Sequence, residues 1–200
     1  MFVRKATPED LDRICAIAES VRFDPEYAQI GGFLVYMHGR QGYADRLAVT
    51  DFFDVAVEDG KVVGFLVCFE DSTAEELVRR GILNLDLLRA KDVAGCEGRW
   101  LYGDQLAVDP EYASRGVAIH LVWSLYLKIR QCGIDWVFVA ILHEPVNVRS
   151  KALGESLGFT LRATLRYSDG RLWGLYVRDV PREVPPDQAP RVVSHGLIES

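Results

Sequence analysis

Cysteine is scarce in this sequence, and the cysteines that are present are not closely spaced. The chain of 200 residues contains four, and none forms a Cys-x-x-Cys pair: Cys15, Cys68, Cys96 and Cys132. Zinc and thiol redox sites use closely spaced cysteines, and disulfide frameworks are typical of short secreted chains. These cysteines are therefore predicted to be buried thiols, and we expect neither disulfides nor a metal site.

The sequence also lacks an excess of basic charge and any long apolar run. Its 29 acidic and 23 basic residues give a formal net charge of −6, which disfavours a nucleic-acid partner because phosphate binding needs clustered Lys and Arg. No run approaches the roughly 18 apolar residues of a membrane span, and the first residues do not resemble the core of a secretion signal. We expect a cytoplasmic protein with neither nucleic acid nor membrane as a partner.

Length and composition fit one globular domain. A chain of 200 residues that is 49% hydrophobic and 26% charged can bury a full core. We assign residues 1–180 to this domain. Residues 181–200 contain Pro185, Pro186 and Pro190 among polar residues, so this tail is predicted to be flexible or docked on the surface.

The stretch 105–129 predicts a strand, a tight turn and a helix. Leu106 and Val108 end a β-strand pattern, and Pro110 cannot continue it. After Gly116, apolar residues recur with the period of a helix at positions 118, 121, 122, 125, 126 and 129. A helix that begins at such a turn presents unpaired N–H groups and the positive end of its dipole. The turn is therefore a candidate site for an anion such as a pyrophosphate.

Apolar runs on both sides of this stretch predict a sheet. A strand is predicted at 2–6, and two hairpins are predicted where Asp-Gly pairs favour tight turns: 53–57 with 62–69, and 160–167 with 172–180. The continuous apolar run 135–142 is typical of a strand buried on both faces. The helix after Gly116 would join strand 99–108 to strand 135–142 as parallel neighbours, and ligands bind beyond the carboxyl ends of such strands.

Three other segments predict helices. Thr7 is the predicted N-cap of the first, whose buried stripe is formed by Leu11, Ile14, Cys15 and Ala18. In residues 21–51 a helix is predicted from about Pro25 to His38, interrupted by Gly31-Gly32, with a polar loop around 40–43. Residues 71–98 open with the capping-box pattern Ser72-x-x-Glu75, which predicts the start of a helix.

Residues 113–118, Ala-Ser-Arg-Gly-Val-Ala, resemble the coenzyme A pyrophosphate loop of the GNAT superfamily of N-acetyltransferases, whose pattern is Gln/Arg-x-x-Gly-x-Gly/Ala. The preceding Leu106-x-Val108-x-Pro110 is similar to the strand that the family places before this loop, and the opening Arg-x-Ala-x-x-x-Asp-Leu at 4–11 is similar to the family's first strand and helix. Ala113 departs from the pattern, because Gln or Arg is usual there. The loop would therefore rely on backbone N–H groups, Ser114 and Arg115.

A second stretch, 147–159, resembles the later GNAT motif, which is Asn-x-x-Ala, a short helix and Leu-Gly-Phe. Asn147 and Leu157-Gly-Phe159 match it, and Ser150 replaces the Ala. The resemblance implies a single α/β (α+β) domain with a mixed, mostly antiparallel twisted sheet, splayed at its centre between strands 99–108 and 135–142, and helices on both faces. It also implies acetyl-CoA as co-substrate and no metal. Most family members have a far shorter link between the third and fourth strands, so residues 71–98 are an insertion, which could cover the cleft or form the subunit contact of a homodimer. The implied coenzyme A-binding residues are Leu106, Ala107, Val108, Ala113, Ser114, Arg115, Gly116, Val117, Ala118, Asn147 and Ser150.

The implied reaction is transfer of the acetyl group to a primary amine by direct attack in a ternary complex. The class of the amine stays open, because residues 21–51, which lie over the acceptor site in the family, follow no motif. A backbone N–H at the end of strand 99–108 is expected to polarise the acetyl carbonyl. Asp104 is the first candidate base and Tyr102 the second candidate catalytic residue, since both share strand parity with Leu106 and Val108. A β-bulge would change that parity, and a salt-bridged Asp104 without a catalytic role is the alternative.

The sequence leaves the general acid open. Family members commonly place a Tyr seven residues after the motif Asn, and this position is Gly154. Ser150, Ser156, a tyrosine from another element or water could protonate the thiolate, or it could leave unprotonated, because a thiol pKa near about 8.5 makes it a fair leaving group. The alternative function is a module that binds or senses coenzyme A or acyl-CoA without turnover.

Overall fold

The computed structural model describes residues 1–26, 32–95 and 97–180. Within these ranges the strands are β1 (Phe2–Lys5), β2 (Phe53–Glu58), β3 (Lys61–Glu70), β4 (Trp100–Val108), β5 (Trp136–Leu142), β6 (Thr160–Arg166) and β7 (Leu172–Asp179). The α-helices are α1 (Leu11–Ser20), α2 (Gly39–Leu47), α3 (Asp71–Arg79), α4 (Asp86–Ala94), α5 (Val117–Ile129) and α6 (Val148–Ser156). Short 3-10 turns lie at Pro8–Asp10 and Pro110–Tyr112.

The strands form one mixed sheet in the order β1, β2, β3, β4, β5, β7, β6. Every neighbouring pair is antiparallel except β4 and β5, which are parallel. In the β2–β3 turn, Asp59 and Gly60 have φ angles of 49° and 76°, the left-handed conformation that a two-residue hairpin requires. The predicted fold class and the parallel pairing of strands 99–108 and 135–142 are confirmed.

A hydrophobic core lies on each face of the sheet. On one face, residues of α1, α3 and α4 such as Ile14, Leu77 and Leu87 pack against Phe65 and its neighbours. On the other face, α5 packs its buried stripe against β3, β4 and β5. That stripe consists of Val117, Leu121, Val122, Leu125, Tyr126 and Ile129. The helical period of the sequence therefore predicts the buried face of α5 correctly, except that Val117 rather than Ala118 begins it.

The start of the chain folds largely as predicted. Thr7 and Asp10 form a capping box, but the first turn after Thr7 is 3-10, and α1 begins at Leu11. Ile17 is buried in α1, whereas Cys15 is only half-buried. The prediction of buried thiols holds for Cys68 and is wrong for Cys132, which is exposed at the turn after α5.

The segment between α1 and β2 differs from its prediction. Residues 32–38 are not helical, so the helix expected up to His38 is wrong there, and residues 27–31 lie outside the described part of the chain. The helix of this segment is α2, which spans the predicted polar loop. Its two glycines are poor helix formers, but its Tyr43 and Arg46 side chains are buried. Long-range packing therefore outweighs local propensity.

The insertion forms two helices, α3 and α4, with a break after Gly81, which has a φ of 71°. The predicted capping box at Ser72 is wrong, because β3 runs directly into α3 and the N-cap is Glu70. The start of α3 is therefore set by the end of β3 at Glu70. Cys96 and the predicted tail, 181–200, lie outside the described residues. None of the described helices is long and apolar enough to cross a membrane.

Candidate active site

The parallel strands β4 and β5 separate part of the way along their length. They pair only from Trp100 with Trp136 to Gly103 with Val139. Beyond this point residues 105–108 remain paired with β3, and residues 140–142 remain paired with β7. A gap therefore opens in the middle of the sheet at the carboxyl ends of both strands, as predicted.

A cavity of about 700 Å³ lies at this gap, with walls from both faces of the sheet. On the α5 side its wall includes Val122, Leu125, Tyr126, Ser150 and Gly154, which we call the α5 end. On the opposite side it includes Tyr36, Tyr102, Tyr167 and Trp173, which we call the aromatic end. The cavity passes from one face to the other between the separated strands.

The backbone of β4 directs alternate residues into the gap. The N–H of Asp109 donates to the carbonyl of Val63 in β3, at 2.9 Å. Because an antiparallel strand turns alternate residues toward the same neighbour, Ala107 also faces β3, and Leu106 and Val108 face away from it. The amide groups of Leu106 and Val108 therefore point to the edge from which β5 has separated.

The loop between β4 and α5 has an unusual backbone conformation. Ser114 and Gly116 both have positive φ, 65° and 78°. Gly116 is the N-cap of α5, so the N–H groups of Val117 and Ala118 have no partner within the helix. Ala113 is extended and gives the loop no polar side chain. Concave loops of this kind at a helix N-terminus bind anions through backbone N–H groups.

Arg115, within the same loop, is an exposed cation that is held only loosely. Its guanidinium lies 4.8 Å from the centroid of the Tyr112 ring. Its nearest carboxylate is Glu58, at 3.8 Å, and more than half of its side-chain surface is accessible. Such a side chain can turn toward an anion bound in the loop without breaking a hydrogen bond, because Glu58 lies 3.8 Å away.

Asn147 caps α6 and also forms a hydrogen bond with the segment before α2. Its Oδ1 accepts the N–H of Ser150 at 3.2 Å, and its Nδ2 donates to the carbonyl of Phe33 at 2.9 Å. The side chain is buried and lines the cavity, as does Ser150. Asn147 therefore connects the start of α6 to the segment before α2.

Gly154 lies in the wall of the α5 end, where the family usually has a tyrosine. Tyr126 lies in the same wall, and its hydroxyl has no hydrogen-bond partner among the described residues. Burial raises the pKa of Tyr126 to about 12. Ser156 is exposed and donates to the carbonyl of Leu153. Ser150 and Tyr126 are thus the residues of the α5 end that carry a hydroxyl group.

A β-bulge in β4 gives the candidate catalytic residues a different orientation from the one predicted. Gln105 pairs with Val67 and Gly103 pairs with Cys68, so Asp104 is the extra residue between them. A bulge of this kind shifts the alternation of side chains by one. Tyr102 and Asp104 consequently face α1 and α2, whereas Leu106 and Val108 pack against the α5 core. The parity predicted for these four residues is wrong.

The bulge places Asp104 next to a buried arginine, Arg46. Nε of Arg46 lies 3.1 Å from Oδ2 of Asp104, and the two side chains are 2% and 9% exposed. Arg46 also donates to the carbonyl of Gly42 at 3.1 Å, while its Nη2 has no partner among the described residues. Among those residues, no hydrogen bond reaches Oδ1 of Asp104. One carboxylate oxygen is thus engaged by Arg46 and the other is available.

His38 and Gln105 extend this cluster. Nε2 of Gln105 donates to the carbonyl of Tyr36 at 2.7 Å and contacts Nε2 of His38 at 3.0 Å. Oε1 of Gln105 accepts the hydroxyl of Tyr43 at 2.8 Å. Burial lowers the pKa of His38 to about 4, although Asp104 opposes the shift from 3.8 Å. His38 is therefore neutral at pH 7.

The aromatic end is a stack of rings. Trp173 lies between Tyr36 and Tyr167, with ring centroids 5.8 Å and 5.3 Å away. The hydroxyl of Tyr36 donates to Asp169 at 2.7 Å. Burial raises the pKa of Tyr102 and Tyr167 well above the usual range for tyrosine, so both carry neutral hydroxyls.

The insertion contributes to the same cavity. Ile82, Leu83 and Asn84 from the α3–α4 connection line it, together with Leu87 of α4. The insertion therefore lies over the aromatic end in this fold.

Several residues of the cavity could not be identified from the sequence. His38, Arg46, Tyr36 and Trp173 are brought together from segments that follow no motif. The one available signal was the number of aromatic and charged residues in 36–46, which lack the apolar period of a surface helix. Tyr167 also lines the cavity, whereas Tyr176 and His143 do not line it and contact each other, with 3.1 Å between the hydroxyl of Tyr176 and Nε2 of His143.

Comparisons with known proteins agree with this geometry. The sequence profile of the Acetyltransferase (GNAT) family matches residues 19–159. A search of curated protein sequences gives no match. Among solved structures, the chain is similar to Ard1 from Thermoplasma volcanium, with 19% identity and a TM-score of 0.66 over 90% of this chain and 97% of that one.

Two other solved structures are similar to the chain. One is yncA from Salmonella typhimurium with its cofactor acetyl-CoA, at 18% identity and a TM-score of 0.59 over 94% of this chain and 99% of that one. The other is polyamine N acetyltransferase from Drosophila melanogaster, at 20% identity and a TM-score of 0.61 over 88% of this chain and 98% of that one. At these identities the structures support the fold alone. The family profile, however, spans well over half of the chain and includes both the 113–118 loop and the 147–159 stretch, so the chain belongs to the GNAT family of acetyl-CoA-dependent N-acetyltransferases.

Proposed function

We propose that this protein transfers the acetyl group of acetyl-CoA to a primary amine by direct attack while both are bound. The observation that carries the proposal is the cavity that joins the two faces of the sheet between β4 and β5. Acetyl-CoA, when bound, supplies an activated acetyl thioester. A cavity with one wall on each face can hold two reactants in contact, which removes the need for an acetylated enzyme residue.

The loop 113–118 is proposed to hold the pyrophosphate of coenzyme A. Its left-handed residues and the free N–H groups of Val117 and Ala118 favour an anion there. Ser114 and Arg115 can add side-chain donors, whereas Ala113 offers backbone alone. The absence of a Gln or Arg side chain at 113 fits a loop that binds mainly through the backbone.

The edge of β4 that faces the gap is proposed to hold the pantetheine arm and polarise the acetyl carbonyl. Leu106 and Val108 direct their amide groups to this edge, where β5 offers no partner. An N–H fixed in a strand is a preorganised donor for a developing oxyanion. Ala107 faces β3, so its contribution is to hold the strand in place. Asn147 and Ser150 are proposed to position the arm from α6.

Asp104 is the proposed general base. The bulge directs it to the side of the sheet opposite α5, and Arg46 holds Oδ2 while leaving Oδ1 available. Oδ1 can accept the ammonium proton directly or through a water molecule, which leaves a neutral amine to attack. The buried hydroxyl of Tyr102 is neutral and is proposed as a hydrogen-bond donor rather than a base.

Departure of the thiolate is proposed to need no tyrosine at 154. A thiolate whose conjugate acid has a pKa near about 8.5 is a fair leaving group. Ser150 and Tyr126 are the hydroxyls in the wall of the α5 end that could donate a hydrogen bond to it. No metal is invoked, because proton removal and carbonyl polarisation are assigned to side chains and backbone.

The test is release of free coenzyme A thiol from acetyl-CoA in the presence of a panel of amines. The proposal predicts release that depends on both the amine and the enzyme, together with an N-acetylated product detected by mass spectrometry. Calorimetry with acetyl-CoA is run in parallel. Tight binding of acetyl-CoA without transfer to any amine would instead favour the sensing module, to which the glycine at 154 also points.

The compartment and the oligomeric state stay predictions. A cytoplasmic location is expected from the sequence, and a homodimer is one of the two roles that it leaves open for residues 71–98. Light scattering of the purified protein would decide the second of these.

A further inference from the structure

Buried hydrogen-bond donors are in excess at the aromatic end of the cavity. Among the described residues, Nη2 of Arg46, the hydroxyl of Tyr167 and Nε1 of Trp173 are buried without a partner. All three belong to side chains that line the cavity, and these residues are at most 7% exposed. Buried donors without acceptors cost free energy, so the cavity is suited to a molecule that brings acceptors.

The charges of this wall also disfavour a polycation. Arg46 is paired with Asp104, and Arg171 is paired with Asp169 at 3.2 Å. The hydroxyl of Tyr36 already donates to that same Asp169. Among the described residues of the cavity wall, Asp104 is the only one with a carboxylate, and Arg46 already engages it. A second ammonium group would therefore meet no unpaired carboxylate.

The aromatic rings do not offer a cage for a cation. Trp173 is covered by Tyr36 at an interplanar angle of 13° and by Tyr167 at 29°. A stacked ring presents its edge, and the edge of Trp173 carries the unpaired N–H. The guanidinium of Arg171 already lies 5.9 Å from the centroid of the Tyr36 ring. Cation–π binding needs an open ring face, and the faces of Trp173 are already occupied by Tyr36 and Tyr167.

From these observations we infer that the acceptor amine carries a carboxylate, as a free amino acid does, and that Arg46, Tyr167 and Trp173 bind that carboxylate. The inference rests on the proposed function and adds the substrate class. Arg46 holds Asp104 with Nε and keeps Nη2 for the substrate. The same arginine would then place the amine, which lies next to the carboxylate in an amino acid, near the proposed base. A polyamine, the substrate that gives the similar Drosophila enzyme its name, is not expected to be an acceptor here.

The test compares amines that differ only in the carboxylate: tryptophan with tryptamine, leucine with 3-methylbutylamine, and arginine with agmatine. Values of kcat/KM are extrapolated to the fully neutral amine, because the two members of a pair differ in pKa. We expect at least one pair in which the amino acid is favoured about 10-fold or more, as for one hydrogen bond to a charged group.

A hydroxyl deletion makes the test specific. Tyr167→Phe should reduce the amino acid to amine ratio of kcat/KM about 10-fold, because it removes one donor to the carboxylate. Tyr176→Phe is the matched control, since Tyr176 is also fully buried but its hydroxyl bonds His143 outside the cavity wall. The control should leave the ratio unchanged.

Four results would overturn the inference. Equal or faster transfer to the decarboxylated amines would contradict it and leave the proposed function standing. An unchanged ratio in Tyr167→Phe, or transfer to peptide N-termini but to no free amino acid, would do the same. Transfer to no amine of any series, with acetyl-CoA bound, would contradict the proposed function and the inference together.

Discussion

The two ends of the cavity are built from different parts of the chain. The α5 end, with the loop that leads into it, comes mainly from one continuous stretch, from β4 through residues 113–118 into α5, with α6 beside it. Its polar groups are largely backbone N–H groups. The aromatic end is assembled from side chains of residues 36–46, 82–87, 102–105 and 167–173, which meet only in the folded protein.

This difference decides what a sequence can reveal. A site made of backbone needs particular φ values and a particular strand–turn–helix order, and glycine at a left-handed position records that need in the sequence. A site made of side chains from distant segments needs no local pattern. The predictions below test whether the two ends differ in this way, from the largest expected effect to the smallest.

The largest effect is expected at Asp104, which belongs to the aromatic end through its bulge. Asp104→Asn keeps the size of the side chain but cannot accept the proton, so acetyl transfer should fall by about 10² to 10⁴. Acetyl-CoA affinity, measured by calorimetry, should stay near that of the parent. The loss should be partly relieved at high pH, where more of the amine is already neutral.

The ion pair of Asp104 calls for a stability control. Removing one partner of a buried pair destabilises a protein by about 3–5 kcal/mol, and Arg46 is 2% exposed. Combining Asp104→Asn with Arg46→Met leaves no unpaired charge, so thermal stability should recover while transfer stays low. Parent-like turnover of either variant would remove Asp104 from the mechanism.

Asn147 joins the two ends, so its substitution should affect both stability and binding. Asn147→Ala removes the cap of α6 and the bond to Phe33, which should lower the free energy of unfolding by about 1–2 kcal/mol and weaken acetyl-CoA binding. Asn147→Ser keeps a capping oxygen and should recover part of the stability in chemical denaturation. Undiminished affinity in Asn147→Ala would make Asn147 a helix cap only.

The smallest effect at pH 7 comes from His38, because it appears only when the pH falls. Its pKa is about 4 in the folded protein, against 6.5 unfolded, so the unfolded chain binds more protons between these values. Stability from this residue is complete above about pH 6.5 and decreases as the pH falls toward 4, by at most about 1.4 kcal/mol per pH unit. His38→Asn should flatten the pH dependence of the unfolding free energy in this window. An identical pH dependence in both proteins would contradict the burial of His38.

The fold was largely predictable because its signals are local. The period of α5, the Asp-Gly hairpin at 59–60 and the N-cap at Thr7 each depend on neighbours in sequence. The loop 113–118 was predictable for the same reason. A bulge would change the parity of Asp104, but neither its presence nor its position could be predicted from the sequence.

The errors arise where tertiary contacts decide. α2 contains two glycines and forms because its Tyr43 and Arg46 side chains are buried in the folded protein. The bulge at Asp104 depends on the register between β3 and β4, and no residue of β4 alone encodes that register. Of the two rings that stack on Trp173, Tyr36 comes from a distant segment near the start of the chain, and Tyr167 comes from the same hairpin.

The most direct measurement is calorimetric titration of acetyl-CoA into the parent protein, Gly116→Glu and Gly170→Glu. Both glycines have positive φ, 78° and 83°, and an added Cβ meets no atom closer than 3.7 Å at either position. The two variants therefore carry similar backbone strain, of about 1 kcal/mol or somewhat more, and the same added charge. Only Gly116 lies in the proposed pyrophosphate loop. The account predicts parent-like binding to Gly170→Glu and no detectable binding to a folded Gly116→Glu, whereas equal affinity of the two variants would contradict it.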